Sequence, residues 1–233
     1  MLLVDRDLAV RLERMSAMDN AAFALSHLAR IEGSKAGVLR VAGGLAAVMG
    51  PGQYVNKVSA LGLDEPITDH HLDEIESFFA ERSVPVELHL CPWVEGADLA
   101  TLARRDYALC WFRSMYVMEV PAVVQVRDPA NFRLEQVDDH NEPTWRRTHS
   151  AEFVNDADAL RANHEFCTAI RGAGGAIDFI AWIEDVPVGV CSLMVRDDRA
   201  WLGGMSTLPR YRRLGVQSLL IRHRLRIARK MGC

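Results

Sequence analysis

Three arginines and a glycine near the end of the chain have the types and spacing to hold a diphosphate. Arg210, Arg212 and Arg213 crowd a short turn, and Gly215 stands where an apolar periodicity begins. A helix N-terminus offers unpaired backbone N–H groups and the positive end of the helix dipole. Guanidinium groups beside it add charge-assisted, often bidentate contacts to an anion. The elements that must position them can be read on either side. Ala200–Thr207 is small and apolar and ends at Pro209, which cannot continue a sheet ladder, so it reads as a strand. Val216, Leu219, Leu220, Ile227 and Met231 recur at helical spacing and share one face. Strand, cationic loop and helix together make a diphosphate cradle; the plainer alternative is an arginine-rich strand-to-helix turn.

Charge supports a local cradle over a general anion surface. The chain has 233 residues, 49% hydrophobic and 25% charged, with a formal net charge of −4. That composition suits a soluble globular protein, and the net charge excludes general nucleic-acid binding. Leu208 to Cys233 holds eight Lys or Arg and no Asp or Glu, which leaves about −12 on the preceding residues. Arg222, Arg226 and Lys230, spaced four apart, read as a solvated helix face, whereas Arg212 and Arg213 belong to the cradle. Five scattered cysteines without a Cys-x-x-Cys pair suit a reducing compartment and predict neither a disulfide framework nor a metal site. Met1-Leu-Leu-Val is followed by Asp5 and Asp7, too short and acidic for a signal peptide, and no apolar run is long enough to span a bilayer. A cytoplasmic protein is expected.

Pro209-Arg-Tyr-Arg212-Arg-Leu-Gly215-Val-Gln217, followed by Leu219-Leu220, resembles the acyl-CoA signature of the GCN5-related N-acetyltransferases (GNAT family). Arg212 and Gly215 match that signature, while Gln217 stands where a small residue is usual. The resemblance implies acetyl-CoA as cosubstrate, bound at Arg212, Arg213, Leu214, Gly215, Val216 and Gln217, with its pantetheine arm beside Met205, Ser206 and Thr207. It implies an N-acetyltransferase that delivers the acetyl group to an amine of a small molecule or a protein, or else a catalytically impaired CoA-binding or interaction protein.

The remaining order of elements fits an α/β (α+β) acyltransferase-like fold, a mixed, mostly antiparallel sheet flanked by helices, with the pattern present twice. Asp5–Glu32 reads as helix, broken near Asp19-Asn20. Strands follow at Val38–Val41, Leu45–Met49 and Asn56–Leu63, then a helix capped by Thr68 or Asp69, a strand over Val84–Leu90, a helix over Ala97–Arg105 and two strand-like pieces in Ala108–Val120. After the Pro121–Pro129 connector come a strand at Phe132–Val137, helices at Glu142–Phe153 and Ala157–Arg171, and strands at Ile177–Ile183 and Val186–Val195. Gly33–Arg82 and Gly174–Arg224 share a glycine break, three strands and a helix. In place of the arginines the first copy has Asp64, Glu65 and Asp69, which repel a diphosphate. Residues 1–125 therefore resemble the degenerate N-terminal acetyltransferase-like domain of two-domain family members, and 130–233 the acyl-CoA-binding domain.

A full fold of this family continues after the helix with a strand, a helix and two closing strands, so the resemblance implies that 130–233 lacks its usual C-terminal strands. The sequence is then shortened, or another chain supplies that surface, or catalysis is lost. An uncovered strand edge and helix face would be met by the first half or by a second copy of the chain, a homodimer. If the chain catalyses, a backbone N–H near Ser206 stabilises the oxyanion, and Glu152, with His149 one turn before it, is the candidate base against a plainer reading as solvated helix face. Tyr211 packs the loop, Cys167 and Cys191 are small core residues, and His70, His71 and His89 are not read as metal ligands. Trp145, Phe153, Phe166, Trp182 and Trp201 are core, with Phe153 or Trp145 available to line an acceptor cleft.

Overall fold

A computed structural model describes residues 4–153 and 155–233. The chain divides into two compact units, one of residues 1–118 with 168–173 and one of residues 119–167 with 174–233.

The first unit begins with α1 (Arg6–Arg30), capped where the Asp5 carboxylate accepts from the Leu8 N–H. The expected break at Asp19-Asn20 is absent: the helix runs through, with both residues buried. β1 (Gly37–Val41), β2 (Gly44–Val48) and β3 (Lys57–Ser59) form a three-stranded antiparallel sheet. β3 is shorter than the reading of Asn56–Leu63. α2 (Asp69–Ala80) buries Leu72, Ile75 and Phe79 in the core that covers this sheet. Its start is closed by its own side chains. The Thr68 hydroxyl accepts from the His71 N–H, and His71 Nδ1 accepts from the Thr68 N–H, a reciprocal capping box. α3 (Gly96–Arg104) follows.

Two strand readings in this half are corrected. Residues 84–90 make one isolated parallel bridge, Val58 to Leu88, in which the Val58 N–H donates to the Glu87 carbonyl and the His89 N–H to the Val58 carbonyl. Residues 105–131, which include Ala108–Val120, contain no helix or strand. Leu109, Phe112 and Tyr116 there are 75%, 86% and 95% exposed, so their apolar pattern has no second strand or core to meet. Alternation supplies two faces for a strand, but a strand also needs a ladder partner.

The second unit carries a four-stranded antiparallel sheet in the order β4 (Phe132–Gln136), β5 (Ala176–Ile183), β6 (Val186–Arg196) and β7 (Arg199–Thr207). α4 (Glu142–His149) stops four residues before the reading of Phe153. α5 (Ala157–Ala173) is capped by Asp156 and ends at Gly174. A 3-10 turn at Pro209–Tyr211 leads into α6 (Val216–Lys230). Phe179, Ala181, Val188, Cys191 and Leu193 of the sheet pack with Val216, Leu220 and Ala228 of α6. Trp145 of α4, fully buried, packs with Val137, Cys167, Ile180 and Val190. Helices over a mostly antiparallel sheet are the architecture expected from the sequence.

His223 of α6 holds the segment before β4. Arg226 can only donate, and its Nη2 lies 2.9 Å from His223 Nδ1, so that nitrogen accepts. The opposite Nε2–H then donates to Asp128 Oδ1 at 2.7 Å, while the ring stacks on Phe132.

Candidate active site

The cradle is built where β7 runs into α6. Gly215 is the N-cap residue of α6 and adopts φ +82°, ψ 1°, the left-handed region that favours glycine. No side chain caps this helix, in contrast to α2. A Cβ placed on Gly215 would meet nothing of the chain within 4 Å, so the backbone there borders open space. Arg213 is also left-handed, at φ +65°. Left-handed residues within a turn rotate successive amides toward one concave side, an arrangement that binds anions. Arg212, Arg213 and Leu214 are exposed around it, and Arg212 Nε donates to the Thr207 carbonyl at 3.3 Å.

Gln217, the departure from a small residue, turns away from the loop. Its Nε2 donates to the Ser206 carbonyl at 3.2 Å and to Thr207 Oγ1 at 2.5 Å. The side chain thus fastens the first turn of α6 to the end of β7, and it does not fill the concave side.

β7 is locally irregular beside the loop. Val190 pairs with Ser206 and Ser192 with Gly203, so Gly204 and Met205 together face Cys191. This is a β-bulge, which leaves backbone groups outside the ladder and re-aims the strand. Gly204 has φ +55°, and a Cβ there would lie 2.5 Å from Ser192 Oγ, so only glycine fits. Among the described residues β7 is an edge strand. Met205 and Leu214 are 49% and 64% exposed, apolar surface on either side of the turn.

Glu152, the base suggested by the sequence, forms an ion pair with Arg212. Both side chains are about half exposed. An exposed pair of this kind is worth about 0.2–1 kcal/mol. Replacing Glu152 with Gln releases Arg212 and should tighten CoA binding by up to about fivefold, measured by titration calorimetry; weaker binding would mean that Arg212 does not meet the ligand.

His149 sits at the end of α4 in a polar pocket of its own. Asn163 Oδ1 accepts from Ser150 Oγ at 2.8 Å and lies 3.0 Å from His149 Nδ1. That contact places the proton on Nδ1 and leaves Nε2 with its lone pair. Burial pushes the His149 pKa below its ordinary value, so the ring is neutral at pH 7. Burial likewise pushes the Cys167 and Cys191 thiols up to about 12, which keeps them protonated and fits their reading as core residues. Phe153 is 38% exposed, and Trp145 is fully enclosed.

Residues 134–233 match the model of the acetyltransferase (GNAT) family. That model covers a little under half of the chain. The matched span contains β7, the arginine loop and α6. No curated protein matches the chain. A GCN5-related N-acetyltransferase from Kribbella flavida superposes with a TM-score of 0.57 at 13% identity, over 94% of this chain and 82% of its own. A functionally unknown conserved protein from Staphylococcus epidermidis ATCC 12228 gives a TM-score of 0.56 at 13% identity, over 82% of this chain and 78% of its own. At that identity both establish a shared fold.

The sequence reading of this segment passed over Arg224, whose guanidinium is fully buried. Its signal was the spacing: Arg224 lies four residues from both Leu220 and Ala228, on the buried stripe of α6. Arg222, Arg226 and Lys230 are exposed, as expected of a solvated face.

Proposed function

We propose that the second unit transfers the acetyl group of acetyl-CoA to a primary amine of a small molecule or a protein. The observation that carries this reading is the uncapped, left-handed N-terminus of α6 at Gly215, flanked by Arg212 and Arg213 and adjoining the bulge of β7. The residues fit the ligand. Amides of Arg212 to Gln217 and the guanidinium groups hold the diphosphate. Met205, Ser206 and Thr207 hold the pantetheine arm along the strand.

In the reaction the amine nitrogen bonds to the thioester carbonyl carbon, the C–S bond breaks, and the proton that the amine loses to the base passes on to the sulfur, so that CoA leaves as the thiol. A backbone N–H at the bulge, near Ser206, stabilises charge that builds on the carbonyl oxygen. Glu152 takes the proton once the diphosphate has drawn Arg212 away from it, or His149 takes it through its free Nε2. Replacing each in turn separates the two, since only loss of the true base lowers kcat. A neutral His149 with a lowered pKa supports activity above its pKa and loses it only as pH falls below 6.5.

The first unit takes no CoA in this account. The start of α2 is already capped by Thr68 and His71, and Asp64 of the adjoining loop is paired with Arg14 at 2.5 Å. One CoA per chain is the expected stoichiometry.

Incubation with acetyl-CoA and a panel of amines, followed by free thiol release and mass spectrometry of the product, tests the reading. Amine-dependent thiol release with a mass gain of one acetyl group supports it. A second reading, CoA binding without turnover, is favoured by the engagement of Glu152 with Arg212 and predicts binding with no amine-dependent thiol release. Failure to bind CoA at all overturns both.

A further inference from the structure

Arg224 is buried without a carboxylate partner among the described residues, and every contact it makes converges on the bulge or on its own helix. Nη1 donates to the Ser192 carbonyl at 3.0 Å and to the Gly203 carbonyl at 3.3 Å. Those are the two residues that pair last before the ladder slips. Nη2 lies 2.8 Å from the Met205 sulfur, and Nε donates to the Leu220 carbonyl at 3.2 Å. The planar guanidinium therefore bridges β6, β7 and α6 at the point where β7 leaves its register.

A buried guanidinium is costly to desolvate, and a strand pair can close by hydrogen bonding to itself without one. Here the bulge removes Gly204 and Met205 from the ladder, and the arginine supplies donors to carbonyls on both sides of the slip. Ser192 adds a second brace: its hydroxyl donates to the buried Asp178 at 2.5 Å and underlies Gly204. The residues thus fixed, 203–205, lead directly into Ser206 and Thr207.

We propose that Arg224 is a positioning residue for acetyl transfer, holding the β7 bulge in the shape that aims its backbone amides at the thioester. This rests on the acetyltransferase reading of the same site. The diphosphate cradle lies at the other end of the turn and does not include Arg224. Binding of CoA and placement of its acetyl end are therefore separable in this protein. Lysine cannot reproduce the role, because an ammonium is a compact donor that does not span acceptors on two strands and a sulfur.

The test compares wild type with Arg224→Met, Arg224→Lys and Arg224→Ala in the full chain, with Leu220→Ala as a control for lost packing on the same face of α6. Rates are normalised to the folded fraction measured by circular dichroism. Arg224→Met should lower kcat ten- to a hundredfold while changing the CoA dissociation constant less than threefold, since a displacement of about 1 Å at reacting atoms carries a loss of that order. Arg224→Lys should fall between it and wild type. Millimolar guanidinium should restore part of the kcat of Arg224→Ala and leave Leu220→Ala unchanged. If Arg224→Met does not fold, the Lys variant and the guanidinium response carry the same comparison. Equal kcat for wild type and the folded variants, or a loss confined to the CoA dissociation constant, overturns the inference. Absence of turnover in wild type instead overturns the acetyltransferase reading, so the two failures are distinguishable.

Discussion

Gly215→Val should weaken CoA binding at least about tenfold. The physical cause has two parts. Valine in the left-handed region costs about 1–2 kcal/mol, and Gly215 sits at φ +82°. Its side chain would also enter the open space above the turn, where no chain atom lies within 4 Å and where the account places the diphosphate. Gly215→Asn separates the two effects. Asparagine tolerates left-handed backbone, so this variant should keep the fold of the turn while still projecting a side chain toward the ligand. Calorimetric titration with CoA should therefore rank wild type above Asn and Asn above Val. Equal affinity in all three would remove this turn as the binding site.

Trp145→Ala should destabilise the second unit by about 3–5 kcal/mol, the range for removal of a buried aromatic side chain. Trp145 is fully enclosed and joins α4 to β5 and β6, where Val190 pairs with Ser206 of the candidate site. Trp145→Phe should cost only about 1–2 kcal/mol, because the indole N–H is buried with no hydrogen-bond partner and its removal leaves no acceptor unsatisfied. Urea unfolding followed at the α4 and β6 amides checks this. A Phe variant as unstable as the Ala variant would indicate that the indole nitrogen has a role that its surroundings do not show.

The candidate site was legible in the sequence because its parts are local. A strand, a proline, three arginines, a glycine and an amphipathic helix follow one another within about thirty residues, and each acts through its own backbone or its immediate neighbours. β5, β6 and β7 were legible for the same reason, since hairpin turns at Glu184-Asp185 and Asp197-Asp198 set their pairing. What was misread depends on partners distant in the chain. Residues 84–90 and 108–120 carry strand-like patterns, but the first finds one bridge and the second finds no strand. Arg224 looked like its exposed neighbours, because nothing local reveals that the bulge on β7 offers carbonyls to fill its donors. The reach of Gln217 to Ser206 and Thr207 likewise depends on how the helix meets the strand.

Glu152 has a relation that its sequence position does not announce. The sequence put it near the site as a candidate base, and the structure pairs its carboxylate with Arg212 of the cradle. The proposed base and the proposed anion site are therefore coupled electrostatically. Such exposed pairs are screened by salt, so the affinity gain of Glu152→Gln should shrink as ionic strength rises.

The most direct measurement is a CoA titration followed by backbone amide NMR. Shifts should concentrate at Arg212 to Gln217 and at Met205 to Thr207, with the amides of Leu61 to Asp69 in the first unit unmoved. Binding that moves the Leu61–Asp69 amides and leaves Arg212–Gln217 unchanged would contradict this placement of the site.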